Sequence, residues 1–436
     1  MTYSLLTKRP VPSLRDYDIN SKRGFLPEHD PLLSLQHPYN CWDDAARQLP
    51  DYILAGCARR QLNKLPLLHA TNLTTDAELQ RAYSLLSFLN HTYVWCEGEL
   101  NPCHVLPANL AVPWMEVSKS LGCKPILTHS SVVMYNWRRL DAEGPLDLTN
   151  LAALNTFNGC MDEAWFYLVT VAIEALGGPA LEAITDAMQA VNNLNAMIVA
   201  ERMNTLADRI DQMTEIIVRM FEKCDAKVYY DDVRPYFGGW RGNPVLPNGM
   251  VYEGVSETPF YFAGGSAGQS SLIQSIDIAL GVHHSPTNQC PMGADFLESP
   301  PVTDGESPSD VKQILAETPS VDSVCTYIST VREYMPRKHR EFLEALMEAP
   351  SLHGFVQSPH GSADAKHGYN RAVLALENFR TKHIKIVATY IITPASKRAP
   401  SLASYRGTGG SSIMPFLKQV RSETREQLVT SNTEHS

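Results

Sequence analysis

Apolar residues recur at three- and four-residue steps through most of the chain beyond its first hundred residues, and that spacing predicts helices. Between Pro179 and Cys224 there is no further glycine or proline, and Ile184, Met188, Val191, Ile198, Met203, Leu206, Ile210 and Ile217 fall on one stripe. The pattern predicts one long helix or two in series. Similar periodicity marks 269–282, 320–334, 337–348, 364–391 and 411–428, with no regular series of strand-and-turn signals between them. The first hundred or so residues are broken more often by proline and short polar stretches. The expected fold is therefore mainly α, with a smaller N-terminal domain over 1–120, helical with minor strand, and a large all-helical domain over 121–436. The segment 284–310, dense in Pro, Gly, Ser and acid, reads as a surface loop.

Composition narrows the function. With 436 residues, 44% of them hydrophobic, the chain can bury a large core. Its 37 basic against 47 acidic residues give a formal charge of −10, which argues against a general grip on nucleic acid or anionic lipid. Nine widely spaced cysteines without a C-x-x-C suggest neither a disulfide framework nor a zinc site. The most apolar run, Trp165 to Leu176, is too short to span a bilayer and contains Glu174. These features predict a cytoplasmic protein without a membrane or nucleic-acid partner, monomeric by default.

Four stretches carry candidate chemistry. In YFAGGSAGQSS, Gly264 to Gly268 fit the G-x-S-x-G pattern of a nucleophile elbow. An elbow needs a strand before Ser266, a helix after it and a parallel sheet to hold a triad. PFYFA allows a short strand, but the helical periodicity leaves no βαβ series. The same glycines equally suit a helix-capping turn or a loop whose backbone approaches a ligand closely. In ALENFRTKHIKIVATYI, Phe379, His383, Ile386, Val387 and Tyr390 share one helical face. A histidine there is either a core residue bonded to a neighbour or a single axial ligand for haem iron, since no H-E-x-x-H and no second ligand at zinc spacing accompanies it. In VYYDDVRPYFGGW, Arg234 lies among tyrosines, Phe237 and Trp240, suited to a carboxylate beside a planar group or to simple stacking. RGTGG at 406–410 reads as a hinged flap or a linker.

Together these stretches resemble the indoleamine 2,3-dioxygenase family. KRGFLPEHDPL, LPANLAVPW, PILTHSSVVMYNW, FGGWRGNP with GMVYEG and FAGGSAGQSS, REYMPRKHREFL, HIKIVATYIITPAS and RGTGG occur in one order and cover most of the chain. The resemblance implies a haem b enzyme with a small domain over a large helical one, adding both atoms of O2 across the indole C2–C3 bond of L-tryptophan to give N-formylkynurenine. It implies His383 as the iron ligand, Arg380 on a haem propionate, and Asp277 orienting the second nitrogen of His383. Arg234 would bind the substrate carboxylate, Phe166 and Tyr229 would line the indole pocket, and Gly265, Ser266 and Ala267 would touch haem and substrate. Thr408 would belong to a closing flap.

The chain also departs from the mammalian pattern. Thr170 stands where a serine lies near the indole, Tyr229 replaces Phe, His129 stands where tyrosine is common and Val132 where cysteine is. Thr170 and His129 are thus candidate catalytic positions, His129 as a hydrogen-bonding partner of the indole N–H or of bound oxygen. The altered pocket leaves room for a relative that oxygenates another indole or tryptophan derivative in secondary metabolism, or for a haem-binding sensor with little turnover.

Overall fold

The apolar stripe beyond Pro179 is broken at Leu194, whose φ of +52° no helix accommodates, and Asn195 caps the next helix by accepting from the Ile198 N–H. Two helices in series result. The computed structural model describes residues 8–285, 327–397 and 413–430. Ten described helices have eight residues or more: α1 Asn40–Arg47, α2 Asp76–Trp95, α3 Ala108–Leu121, α4 Met161–Ala175, α5 Gly177–Asn192, α6 Ala196–Val218, α7 Ser271–Ala279, α8 Arg337–Met347, α9 Ala363–Val387 and α10 Ile413–Arg425. The periodic stretches of the sequence account for α5 to α10. The expected loop at 291–310 and the 406–410 flap with Thr408 lie outside the described residues.

Helix α9 packs most extensively on α6. Gly368 lets them approach, since a Cβ there would sit 2.9 Å from the Ala200 carbonyl oxygen. The C-terminal α10 packs along α9, and α2 packs on α3. Helix α2 is started by Thr75, whose side chain accepts from the Glu78 N–H while Glu78 accepts from the Thr75 N–H. Buried hydrophobic residues form one cluster running from Ile19 to Val429, across residue 120. Each large aliphatic or aromatic side chain in it contributes roughly 1.5–3 kcal/mol.

The described strands are short, and four of the five follow residue 120. β1 Val105–Leu106 runs parallel to β4 Met250–Tyr252, which pairs antiparallel with β5 Ser256–Phe260; β2 Trp137–Arg139 pairs antiparallel with β3 Leu151–Ala153. The expected PFYFA strand is thus β5, displaced toward Ser256 and set in an antiparallel ribbon that cannot carry a nucleophile elbow. The Tyr252 hydroxyl donates to the Pro125 carbonyl at 2.5 Å and accepts from the Trp240 indole, which ties this ribbon to the segment leading to His129.

The stretch Met161–Asn192 is apolar and long enough, by composition, to cross a membrane, but 67% of its most apolar window is buried inside the fold and the chain turns between α4 and α5.

Candidate functional site

A cavity of about 310 Å³ opens between α4, α7, α9, α10 and the 264–268 loop. Helical spacing builds its first wall. Phe166, Thr170, Ile173 and Glu174 on α4 stand at i, i+4, i+7 and i+8, so all four face the cavity. Phe166 meets Tyr229 at 4.5 Å between ring centroids and Phe237 edge-on at 5.8 Å. Tyr390 closes the group against Tyr229 at 5.8 Å. These rings make a slot for a planar apolar group. The Thr170 hydroxyl donates to the Phe166 carbonyl at 3.2 Å. Its one proton is directed to its own helix in this structure.

Arg234 begins a short turn, Arg234–Phe237, after the wide helical turn 229–233. It is buried, lines the cavity, and its guanidinium lies 5.2 Å from the centre of the Tyr230 ring. Stacking on Tyr230 and a place in the cavity wall therefore coexist, where the sequence offered them as alternatives. Two glycine pairs of the sequence meet beside it. A Cβ at Gly239 would lie 2.2 Å from the Gly264 nitrogen, so only glycine allows this crossing. His91 fixes the same region from beneath: its Nδ1 donates to the Tyr236 carbonyl and its Nε2 accepts from the Leu127 N–H. Burial pushes that imidazole down to about 3, so it stays neutral.

Ser266 is a cap. Its Oγ accepts from the Gly268 N–H at 3.2 Å and from the Tyr327 hydroxyl at 3.0 Å, and Gln269 completes the capping box. Among the described residues no histidine is hydrogen-bonded to it, so of the three readings of this loop the nucleophile falls. Gly265, Ser266 and Ala267 all line the cavity.

His383 faces the same space from α9, together with Phe379 and Val387. Its ring is surrounded by protein yet keeps accessible surface, because that surface is cavity wall. Burial, with the nearby Arg380 charge, pushes it down to about 4, so at neutral pH the imidazole is uncharged and keeps a lone pair to bind a metal. Among the described residues no hydrogen bond engages either ring nitrogen, which sets aside the core-histidine reading. No three His, Cys, Asp or Glu side chains among these residues converge into a metal site. A metal here would take one protein ligand, the donor set that haem iron requires.

Behind His383, two of the expected residues pair with each other. Asp277 does not reach its ring: its oxygens accept from Arg380 at 2.6 and 2.7 Å, and one also from His284 at 3.3 Å. Arg380 in turn is held by Asp277 and the Thr424 hydroxyl while it lines the cavity. The reason is desolvation: both groups are buried, and a buried charge needs a partner in the fold itself. The His284 Nδ1 lies 2.8 Å from Glu423 of α10. Two carboxylates flank this ring and can only accept, so both its nitrogens carry protons. The sequence suggests only a polar loop at His283-His284; the structure buries His284 in this network.

On the α4 side, the His129 Nε2 lies 3.0 Å from Glu174 Oε1, and Ser270 donates to the same oxygen at 2.6 Å. The His129 main-chain N–H donates to Gln269. Glu174, Ser270 and Gln269 escaped the sequence reading, although Glu174 had a signal: it is a lone carboxylate in an otherwise apolar helical run.

A sequence model described as "Indoleamine 2,3-dioxygenase" matches residues 13–427. The chain is 34% identical over 433 residues to indoleamine 2,3-dioxygenase 2 of Homo sapiens, covering 97% of each. It is 34% identical over 425 residues to indoleamine 2,3-dioxygenase 1 of Rattus norvegicus, covering 96% of each. It is 32% identical over 454 residues to indoleamine 2,3-dioxygenase of Saccharomyces cerevisiae, covering 95% of this chain and 94% of that one.

Proposed function

We propose that this chain, which belongs to the indoleamine 2,3-dioxygenase family, is a haem b dioxygenase that adds both atoms of O2 across the indole C2–C3 bond of L-tryptophan, giving N-formylkynurenine. The observation that carries the reading is the meeting, in one largely apolar cavity, of a neutral imidazole that no group among the described residues bonds, His383, with a buried arginine, Arg234. His383 would hold the iron. The group supplies, when bound, a metal centre at which dioxygen is activated.

The rest falls to side chains. Arg234 offers a planar fork suited to the amino-acid carboxylate. Phe166, Tyr229 and Phe237 hold the indole by its faces and edge, and with Ile173 and Val133 they keep water out. Gly265 to Ala267 let the backbone approach a bound group closely, and Ser266 can offer its own O–H proton there. His129 supplies a hydrogen bond to the indole. Indole is electron-rich, so the reaction asks the protein for orientation and dryness more than for an acid–base triad. The seven described cysteines are free, which suits a cytoplasmic enzyme; the reading also takes it as a monomer.

A second substrate, a tryptophan derivative, is favoured by the polar His129–Glu174 pair inside an otherwise apolar wall. The test is the visible spectrum of the reduced protein in air, before and after L-tryptophan, with product scanned for N-formylkynurenine. A Soret band with that product is expected. A Soret band with product only from another indole moves the reading to that substrate, and no Soret band after reconstitution overturns it. Arg234→Ala should raise KM for L-tryptophan by ~10²-fold or more, the scale of a charge-assisted pair, and an unchanged KM would place the carboxylate elsewhere.

A further inference from the structure

We infer that Glu174 is a positioning residue that fixes the proton of His129, so that the neutral ring offers Nδ1 as a hydrogen-bond acceptor and the site selects indoles with a free ring N–H. The inference rests on the dioxygenase reading above and deepens it. A carboxylate oxygen can only accept, so the 3.0 Å contact between Glu174 Oε1 and His129 Nε2 requires the proton on Nε2. In the neutral ring the other nitrogen is then an acceptor, and no group among the described residues bonds it. In its neutral form a ring held this way receives a proton donor, such as the indole N–H, and does not donate to bound oxygen. The expectation from the sequence left those two partners open.

The surroundings hold this arrangement in place. His129 is 6% exposed and Glu174 2%, so water does not compete for either side of the contact. Ser270 donates to the same Glu174 oxygen at 2.6 Å and Gln269 accepts from the His129 main chain, which fixes both partners from α7 and the turn before it. Nearby His339 is pushed down to about 3 by burial, so it adds no charge against the ring. Glu174 stands one turn beyond Thr170 and two beyond Phe166, on the face that would meet the indole. The second Glu174 oxygen is buried and has no partner among the described residues.

The experiment compares L-tryptophan with its N1-methyl analogue, by kcat/KM and by equilibrium binding to the holoenzyme, in the wild type, Glu174→Gln, His129→Ala and the double variant. Glutamine keeps the shape but can donate or accept, so the ring is free to take either tautomer. The preference for the N–H substrate is expected to fall by about tenfold in Glu174→Gln, one neutral hydrogen bond, with KM moving more than kcat. In the His129→Ala background the Glu174 change should have no further effect on that preference. An unchanged preference in Glu174→Gln, or additive losses in the double variant, would overturn the inference. A readout that needs no variant is the 15N spectrum of the histidine ring nitrogens in the wild type. Nε2 protonated with Nδ1 bare is expected, and the reverse, or both protonated, overturns it. Oxidation of no indole by the wild type would instead sink the dioxygenase reading, while the 15N result would still stand.

Discussion

The two polar sides of the cavity are built on opposite principles. Behind His383, every charge is answered within the fold: Arg380 by Asp277 and Thr424, Asp277 by Arg380 and His284, and His284 by Asp277 and Glu423. Around His129, hydrogen-bonding capacity is left over among the described residues: one oxygen of Glu174 and one nitrogen of His129 have no partner there. The first arrangement fastens α7, α9 and α10 together and presents a neutral imidazole with no other engagement. The second places its spare acceptors on residues of the cavity wall. Stability and recognition are thus separated by side, and substitutions on the two sides should report different quantities.

The largest effect should come from the one residue on the His383 side that serves a ligand. His383→Ala removes the imidazole proposed to hold the iron, and haem binding and turnover should each fall by more than about 100-fold, beyond the loss that follows removal of a residue merely supporting a metal ligand. Soret absorbance after reconstitution checks this, and retained haem would place the iron on another side chain. Asp277→Ala should then show what a satisfied network is worth. It strands the Arg380 guanidinium and the His284 imidazolium in the interior, at a cost of about 3–5 kcal/mol in unfolding free energy, read from denaturant titration. Glu174→Gln should lower that free energy far less. Equal losses for the two would erase the distinction between the sides.

A smaller effect is expected from pH. Burial alone would lower the His284 pKa, but hydrogen bonds to Asp277 and Glu423 and the Asp277 charge outweigh it and hold the ring above its ordinary value, against the opposing Arg380 charge. A raised pKa means that the folded state holds a proton the unfolded chain has released. The stabilisation is therefore complete below the ordinary histidine pKa of about 6.5 and is lost as pH rises through the folded value, each tenfold difference in proton affinity between the two states contributing about 1.4 kcal/mol. Asp277 works in the other direction. Burial raises it, the Arg380 charge and the His284 bond hold it below the carboxylate range, and its contribution disappears as pH falls through that lowered value. Unfolding followed from pH 6 upward should show the wild type losing stability while His284→Gln stays flatter. A wild-type curve as flat as the variant's would mean that the ring is not charged in the fold.

How far the sequence foretold these two sides depends on the range over which each is determined. The 3.6-residue period placed α5 to α10, and it put His383 on the apolar face of α9, because helix faces are local properties. The motifs placed Arg234 and the 264–268 glycines at the cavity. The pairs that define the polar sides are not local. Asp277 and Arg380 are 103 residues apart, and His284 and Glu423 139 apart. No periodicity reports such partners, so Asp277 was expected behind His383 and His284 in a loop. Glu174 lay between. Its helical face was legible from Phe166 and Thr170, but as one charge in an apolar run it argued only against a membrane span, and its role emerged when the fold brought His129 and Ser270 to it.

Thr170 gives the smallest effect and the finest test of the contrast between the sides. It shares the face of Phe166 and Glu174, yet its proton is turned back to the Phe166 carbonyl, so it belongs energetically to its helix although it lines the cavity. Thr170→Val keeps the branched shape and removes that internal bond. In a helix whose backbone bonds are already made, the expected change in stability is within about 0.5–1 kcal/mol. If the hydroxyl contributes nothing to the substrate, kcat/KM for L-tryptophan should change by less than about twofold, well short of the loss of one neutral hydrogen bond. A tenfold fall in kcat/KM with unchanged stability would mean that the hydroxyl turns toward the substrate when it binds, and the set of groups on the His129 side that recognise the ligand would then include Thr170.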